Sequence, residues 1–421
     1  MPRWIWVPLL LAISMFLGSA GCQKGAAREC DEFFSECPLG QRCDFGTSQC
    51  VDAVCSSCPA DKPACDPVLQ SCVECIDSGP QDACPERRLC DKNQCKSCTE
   101  DRECDGLLCL RNGGCPKPVD IAYVAAGGAG TECSLTAPCT LPAALATGRG
   151  HIRVRDNQSI DAALQINRAV QIYGPKELAR PRITRSTPGA IFEVSGNGVV
   201  ELRDLELGGA TGATGHGIAV TGGAPTLDLE TVDVIGNSGL GISAGGALLK
   251  VTFALIVNNA GGGINAGGRV ELENNIIAGN GSATSATGGV RLTSAATAST
   301  ARFLTVANNQ AMAGVGSGAD CAGAQALSSV IFAGNTMIGC TAIYSLFPVG
   351  TTVPGTGNKT GDPQFLSATL PANRDDESFY HLMATSPAVG AAEPLPTNIV
   401  ISDIDGDGRA VSREIGADEL R

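Results

Sequence analysis

Aromatic residues make up only 4% of this 421-residue chain, and charged residues only 17%. So few large rings argue against a compact aromatic core; thin coils cornered by the 53 glycines suit the composition better. A basic footprint is also missing. The formal charge is −13 and the pI near 4.8, which argues against nucleic acid as a partner and suits an exposed, soluble surface. No histidine occurs between residues 23 and 150. Beyond the N-terminus there is no long apolar run, so no membrane-spanning segment is expected in the mature chain.

The N-terminal segment itself reads as an export signal. Arg3 supplies a small positive region, Trp4 to Gly18 an apolar stretch, and Ser19-Ala20-Gly21 the small residues before Cys22. This tail resembles a bacterial lipoprotein processing site, with Ser19 where Leu is usual. The resemblance implies a signal over residues 1–21, acylation of Cys22, a tether over 22–29 and a membrane partner reached through the N-terminal lipid. The protein would then be extracytoplasmic, at a bacterial outer membrane or cell surface.

Cysteine is plentiful. Of the 21 cysteines, setting Cys22 aside leaves 21 − 1 = 20, enough for ten disulfides in an oxidising compartment. Sixteen lie between Cys30 and Cys115 in four groups: Cys30, Cys37, Cys43, Cys50; Cys55, Cys58, Cys65, Cys72; Cys75, Cys84, Cys90, Cys95; and Cys98, Cys104, Cys109, Cys115. The polar residues between them cannot bury enough apolar surface to fold unaided, so residues 30–118 are expected to be a disulfide-rich module. Cys-x-x-Cys junctions at 55/58, 72/75 and 95/98 also suit structural zinc. The export signal and the missing histidine favour disulfides. The spacing resembles the tandem Cys-rich repeats of many myxobacterial secreted lipoproteins.

After Pro116-Lys117-Pro118 the pattern changes. A tight loop, Cys133 to Cys139, can close as a disulfide before a helix-like Leu141 to Ala146. Period-two alternation follows in Val170-Gln171-Ile172-Tyr173, Val199-Val200-Glu201-Leu202, Leu227-Asp228-Leu229 and Val270-Glu271-Leu272. An apolar run then leads five times into a turn containing asparagine. Asn237, Asn259, Asn280, Asn309 and Asn335 stand 22, 21, 29 and 26 residues apart. Most turns precede a Gly-apolar step such as Gly241-Ile242 or Gly263-Ile264. This period, built from strand-like pieces, predicts a solenoid of seven to nine coils over 119–345. Asparagine tolerates the left-handed conformation of a sharp turn, and stacked amides can bond along the axis as a ladder. Cys321 and Cys340, 19 residues apart, are expected to staple adjacent turns near the end of the stack. The opening segment and coils resemble bacterial right-handed parallel β-helix proteins typified by pectate lyases, implying an all-β fold preceded by the disulfide module.

Residues 346–421 read as a C-terminal cap. Gly357-Asn358-Lys359-Thr360-Gly361-Asp362-Pro363, Tyr380-His381-Leu382, Thr385-Ser386-Pro387-Ala388-Val389-Gly390 and Asp403 to Glu419 together resemble the C-terminal signature of choice-of-anchor Q proteins. Within it, Asp403, Asp405, Asp407, Gly408 and Glu414 match the calcium-loop pattern D-x-[DN]-x-[DN]-G-x5-E, whose alternating carboxylates suit a hard cation. The family resemblance implies the rival reading, a folded cap in which Arg409 pairs with acidic residues. Calcium is therefore the one cofactor expectation.

Candidate catalytic groups are sparse. Gly215-His216-Gly217 is similar to a polygalacturonase-type motif, but the closely placed Asp pair such an enzyme needs does not accompany it. Arg203, Asp204 and Glu206 are the nearest set for a lyase. Outward charge on a strand explains them equally well. The sequence thus predicts a lipid-anchored surface protein whose non-catalytic β-helix serves binding or structure at the envelope, with polysaccharide or envelope components as partners. The alternative is a polysaccharide lyase or glycoside hydrolase.

Overall fold

The computed structural model describes residues 41–44, 47–52, 58–66, 71–76, 84–176, 179–294, 299–323, 325–371, 378–394, 402–409 and 412–420. Cys22, the signal, the tether, and Cys30, Cys37 and Cys55 lie outside the described residues. The chain divides into two compact units, Met1–Lys96 and Ser97–Arg421.

The first unit is built from small antiparallel hairpins: Gln41–Asp44 with Gln49–Asp52, Ala64–Asp66 with Ser71–Val73, and Leu89–Asp91 with Gln94–Lys96. Strands of three or four residues bury too little to be stable alone. Disulfides Cys58–Cys72, Cys75–Cys90 and Cys84–Cys95 hold them. In the third cysteine group the first residue joins the third and the second joins the fourth.

The second unit is a parallel β-solenoid. Among the described residues one parallel sheet has eight strands, one per turn, and a second has fifteen. Register runs coil to coil: Phe192, Ile218, Ile242, Ile264, Val290, Ala319 and Met337 form one row. Alternation explains the core. Leu202, Leu229, Val251 and Leu272 stack inward, while Glu201, Asp228, Lys250 and Glu271 form the adjacent outward row.

Six successive coils bend at a left-handed residue, inside a long strand or, at Phe253, between two shorter ones. Asp204, Thr231, Phe253, Asn274, Phe303 and Ser329 all have φ between 53° and 57°, the left-handed region. A second left-handed corner follows at Gly209, Gly236, Asn258, Gly279, Asn308 and Gly334. The ladder asparagines come immediately after it.

The fourth cysteine group belongs to this unit. Two disulfides, Cys98–Cys109 and Cys104–Cys115, close it with the same first-to-third, second-to-fourth pattern. Its placement has a physical cause. Leu108 packs with Ile121, Tyr123 and Tyr173 of the first coils. Asp101 pairs with the nearly buried Arg153 at 2.6 Å, and the Tyr123 hydroxyl donates to Gly106 O at 2.8 Å. The Cys133–Cys139 disulfide then precedes the helix Leu141–Ala146, whose first turn is capped by Thr140 and whose Leu141 and Ala144 join the core.

At the far end Cys321 is bonded to Cys340, and Phe332 stacks on Phe347 at 5.1 Å. The C-terminal segment does more than cover this end. It packs along the outer face of the solenoid, where Ile235, Val257, Ile276, Ala278 and Ala307 meet Phe379, Tyr380 and Ala417. Among the described residues no helix is long and apolar enough to cross a membrane.

Candidate functional site

The asparagines at the corners form one bonded column. Asn237 Nδ2 donates to Asn259 Oδ1 at 2.9 Å, Asn259 to Asn280 at 2.9 Å, Asn280 to Asn309 at 2.9 Å and Asn309 to Asn335 at 3.1 Å. Each acceptor oxygen also takes the backbone N–H of the preceding asparagine. The second N–H of Asn237, Asn259, Asn280 and Asn309 goes to the carbonyl of Leu207, Val234, Ile256 or Ile277. These amides are buried and spent on one another. They offer nothing to a substrate.

His216 is similarly occupied. Its Nδ1 accepts the N–H of Leu240 at 2.8 Å, and burial holds the ring below its ordinary pKa. Arg203, Asp204 and Glu206 do not act as a set. Arg203 lies 3.7 Å from Glu230 and over the Tyr173 ring, while Glu206 pairs with Arg182 at 3.2 Å. Asp204 occupies the left-handed bend, where burial pushes its carboxyl up to about 6. The outward charges largely neutralise one another: Arg111 with Asp228 at 2.9 Å, Lys250 with Glu271 at 3.2 Å, Arg302 with Glu273 at 3.0 Å.

The C-terminal segment holds a cluster of titratable groups. Its anchor is Arg409, whose side chain is fully buried. The guanidinium donates to Asn274 Oδ1 at 2.9 Å, to Gly416 O at 2.9 Å and to Ala417 O at 2.8 Å, pairs with Glu419 at 3.1 Å and lies 4.3 Å from the Phe303 ring centre. Asn274 and Phe303 are left-handed bend residues. The kinks of the solenoid therefore form the seat of the segment, and Ser329 adds a third bond by accepting the Gly416 N–H at its carbonyl. Burial lowers the Arg409 pKa, opposed by Glu419 and Asp403.

Three of the four expected calcium ligands, Asp403, Asp405 and Glu414, have partners of their own. Asp403 Oδ1 accepts the N–H groups of Asp405 and Asp407 at 3.0 and 2.8 Å, and its Oδ2 accepts that of Glu419 at 3.2 Å. Glu414 lies against Glu419, and burial with that neighbouring carboxylate raises its pKa. Asp405 approaches His381 instead, at 3.3 Å. Among the described residues no three of Asp403, Asp405, Asp407 and Glu414 form a group with ligand atoms within 4.8 Å of one another. The motif shapes a turn closed by Asp403, with Arg409 serving as its counter-charge; the calcium-ligand set read from the motif does not assemble.

His381, Asp405 and Asp418 do assemble, with ligand atoms all within 4.8 Å of one another. His381 Nδ1 stands 3.2 Å from Asp418 Oδ1 and Nε2 3.3 Å from Asp405 Oδ2. Asp418 is further held by the Leu382 N–H at 2.7 Å, and burial raises its pKa. In the sequence His381 stands only as part of the cap motif Tyr380-His381-Leu382. Its distance from Asp418 along the chain hid the cluster. One signal was available: Leu255-Ile256-Val257, Ile276-Ile277-Ala278 and Val330-Ile331-Phe332 are apolar at consecutive positions, so both faces are covered. A covering segment had to exist.

No family model and no curated protein matches the chain. Among solved structures, the chain is similar to the crystal structure of pectate lyase Pel9A, with 14% identity and a TM-score of 0.39 over 72% of this chain and 96% of that one.

Proposed function

We propose that this is an exported, lipid-anchored protein of the bacterial cell surface whose β-helix binds a polysaccharide or envelope component and does not cleave it. The observation that carries the reading is the outer row of the eight-stranded sheet: Gln165, Glu193, Ala219, Ser243, Asn265, Arg291 and Asp320 stand in register along the axis. Coils repeat about every 4.8 Å, so Ser243 and Asn265, next to the small Ala219, stand in line between the Gln165–Glu193 pair and the Arg291–Asp320 pair. A long hydroxyl-rich chain lying along the axis suits this row. What supports a role without cleavage is the engagement of His216 with Leu240 N–H and of Glu206 with Arg182, and the seating of Arg203 over the Tyr173 ring.

The test uses the full, oxidised chain on a glycan array beside a panel of uronic-acid polymers. Expected are retention of a polysaccharide, its loss when Ser243→Arg or Asn265→Arg fills the row, and intact polymers. A blank array would reduce the protein to a structural envelope component. Cleavage abolished by His216→Ala or Asp204→Ala would replace the reading with a lyase or hydrolase. Anchoring is checked separately: Cys22→Ala should release the protein from the membrane fraction, and its retention there would remove the lipid from the proposal.

A further inference from the structure

We propose that His381 and Asp405, backed by Asp418, form a binding site for a divalent metal of the zinc class. This inference does not rest on the polysaccharide reading. The turn closed by Asp403 presents Asp405, and the segment after Tyr380, itself left-handed with φ 59°, presents His381. Asp418 approaches the imidazole from the opposite side.

The geometry matches how such sites are built. Metal-bound histidines usually donate their second ring N–H to a carboxylate, which fixes the tautomer and the ring plane. Asp418 stands in that position at Nδ1, 3.2 Å away, and is itself held by the Leu382 N–H. An imidazole protonated at Nδ1 would leave Nε2, 3.3 Å from Asp405 Oδ2, as the nitrogen that takes the ion. Two ligands at 2.0–2.1 Å in a tetrahedral site are about 3.3 Å apart. An ion can therefore enter this edge without backbone movement.

Exposure suits entry. The His381 side chain is 12% exposed and that of Asp418 5%, whereas Asp405 is 22% exposed, leaving its side open for the ion and for water to complete the shell. One imidazole and one carboxylate favour zinc-like ions over calcium, which takes six to eight oxygens. The two carboxylates balance the charge of the ion. Arg409, the nearby cation, is directed to Glu419 and Asn274.

The experiment is calorimetric titration of the full, oxidised chain with Zn2+, and with Ca2+ in parallel, joined to thermal unfolding. Expected are saturable uptake of one zinc per chain, a higher Tm with zinc, and no matching response to calcium. His381→Gln should abolish the uptake, and Asp418→Asn should weaken it by about 10- to 100-fold, the usual cost of a lost outer-shell carboxylate. Should His381→Gln loosen the segment, Asp405→Asn, at the exposed edge, serves instead and should also abolish uptake. Absence of saturable zinc uptake by the parent chain, or uptake that survives these substitutions, would leave a charge-paired cluster and overturn the proposal.

Discussion

Asp204 shows how much a single residue can bear in this fold. It takes the left-handed bend with a side chain that L-residues normally keep out of that region, at a cost of about 1–2 kcal/mol. Its carboxyl is buried as well. Burial raises the folded pKa from the ordinary 3.8 to about 6, with Arg203 and Arg180 pulling the other way. The folded protein therefore holds a proton that the unfolded chain has released, so between those two values stability rises as the pH falls. Above about pH 6 the charged form destabilises the fold. Asp204→Asn keeps a residue type that accepts left-handed φ and removes the charge. It should raise the unfolding free energy by on the order of 3 kcal/mol near pH 8, and by almost nothing near pH 3. Denaturant unfolding at both values decides it; an equal effect at both would mean that strain, and not charge, dominates.

At the level of elements, the ladder and the covering segment solve one problem in different ways. Corners leave backbone groups without strand partners, and buried groups without partners are costly. The ladder satisfies them internally. Ala210, which lacks an amide, ends the column and still gives its N–H to Asn237 Oδ1 at 3.0 Å. Two bends are held from outside: Asn274 through its side-chain amide by Arg409 and Ser402, and Ser329 through its carbonyl by the Gly416 N–H. Removing an inner rung should therefore cost more than removing the last one. Asn280→Ala strands both the N–H and the Nδ2 that Asn259 directs at it, and frees Ile256 O. We expect about 3 kcal/mol. Asn335 accepts the longer bonds, at 3.3 and 3.1 Å, and Asn335→Ala should cost less. Chemical unfolding of the two variants under one set of conditions ranks them.

On the scale of the molecule, the two units rest on different physics. The solenoid has a continuous apolar core from Ala122 to Phe347, and each coil finds its backbone partners in its neighbours. Among the described residues the hairpins of 41–96 show no comparable core, and they depend on cross-links, each of which is worth about 2–5 kcal/mol in a small module. Mild reduction should thus expose residues 58–96 to protease while the solenoid strands keep their amide-exchange protection. Simultaneous loss of both would show that the solenoid also needs its disulfides, Cys133–Cys139 and Cys321–Cys340 among them.

The sequence by itself determined the parts that depend on period and composition. Alternation identified the coils, the intervals between asparagines identified the corners, and dense cysteines amid polar residues identified a cross-linked module. These signals are local, since a coil repeats its own requirements every twenty to thirty residues. Pairing of groups distant along the chain left no such trace. Only the tertiary structure joined the first cysteine of a group to the third, placed Cys98 to Cys115 against the first coils, laid the C-terminal segment along the solenoid wall, and turned a calcium-like motif into a turn gripped by Arg409. It also brought His381 to Asp405 and Asp418. Those outcomes depend on which surfaces meet, and period and composition describe one surface at a time.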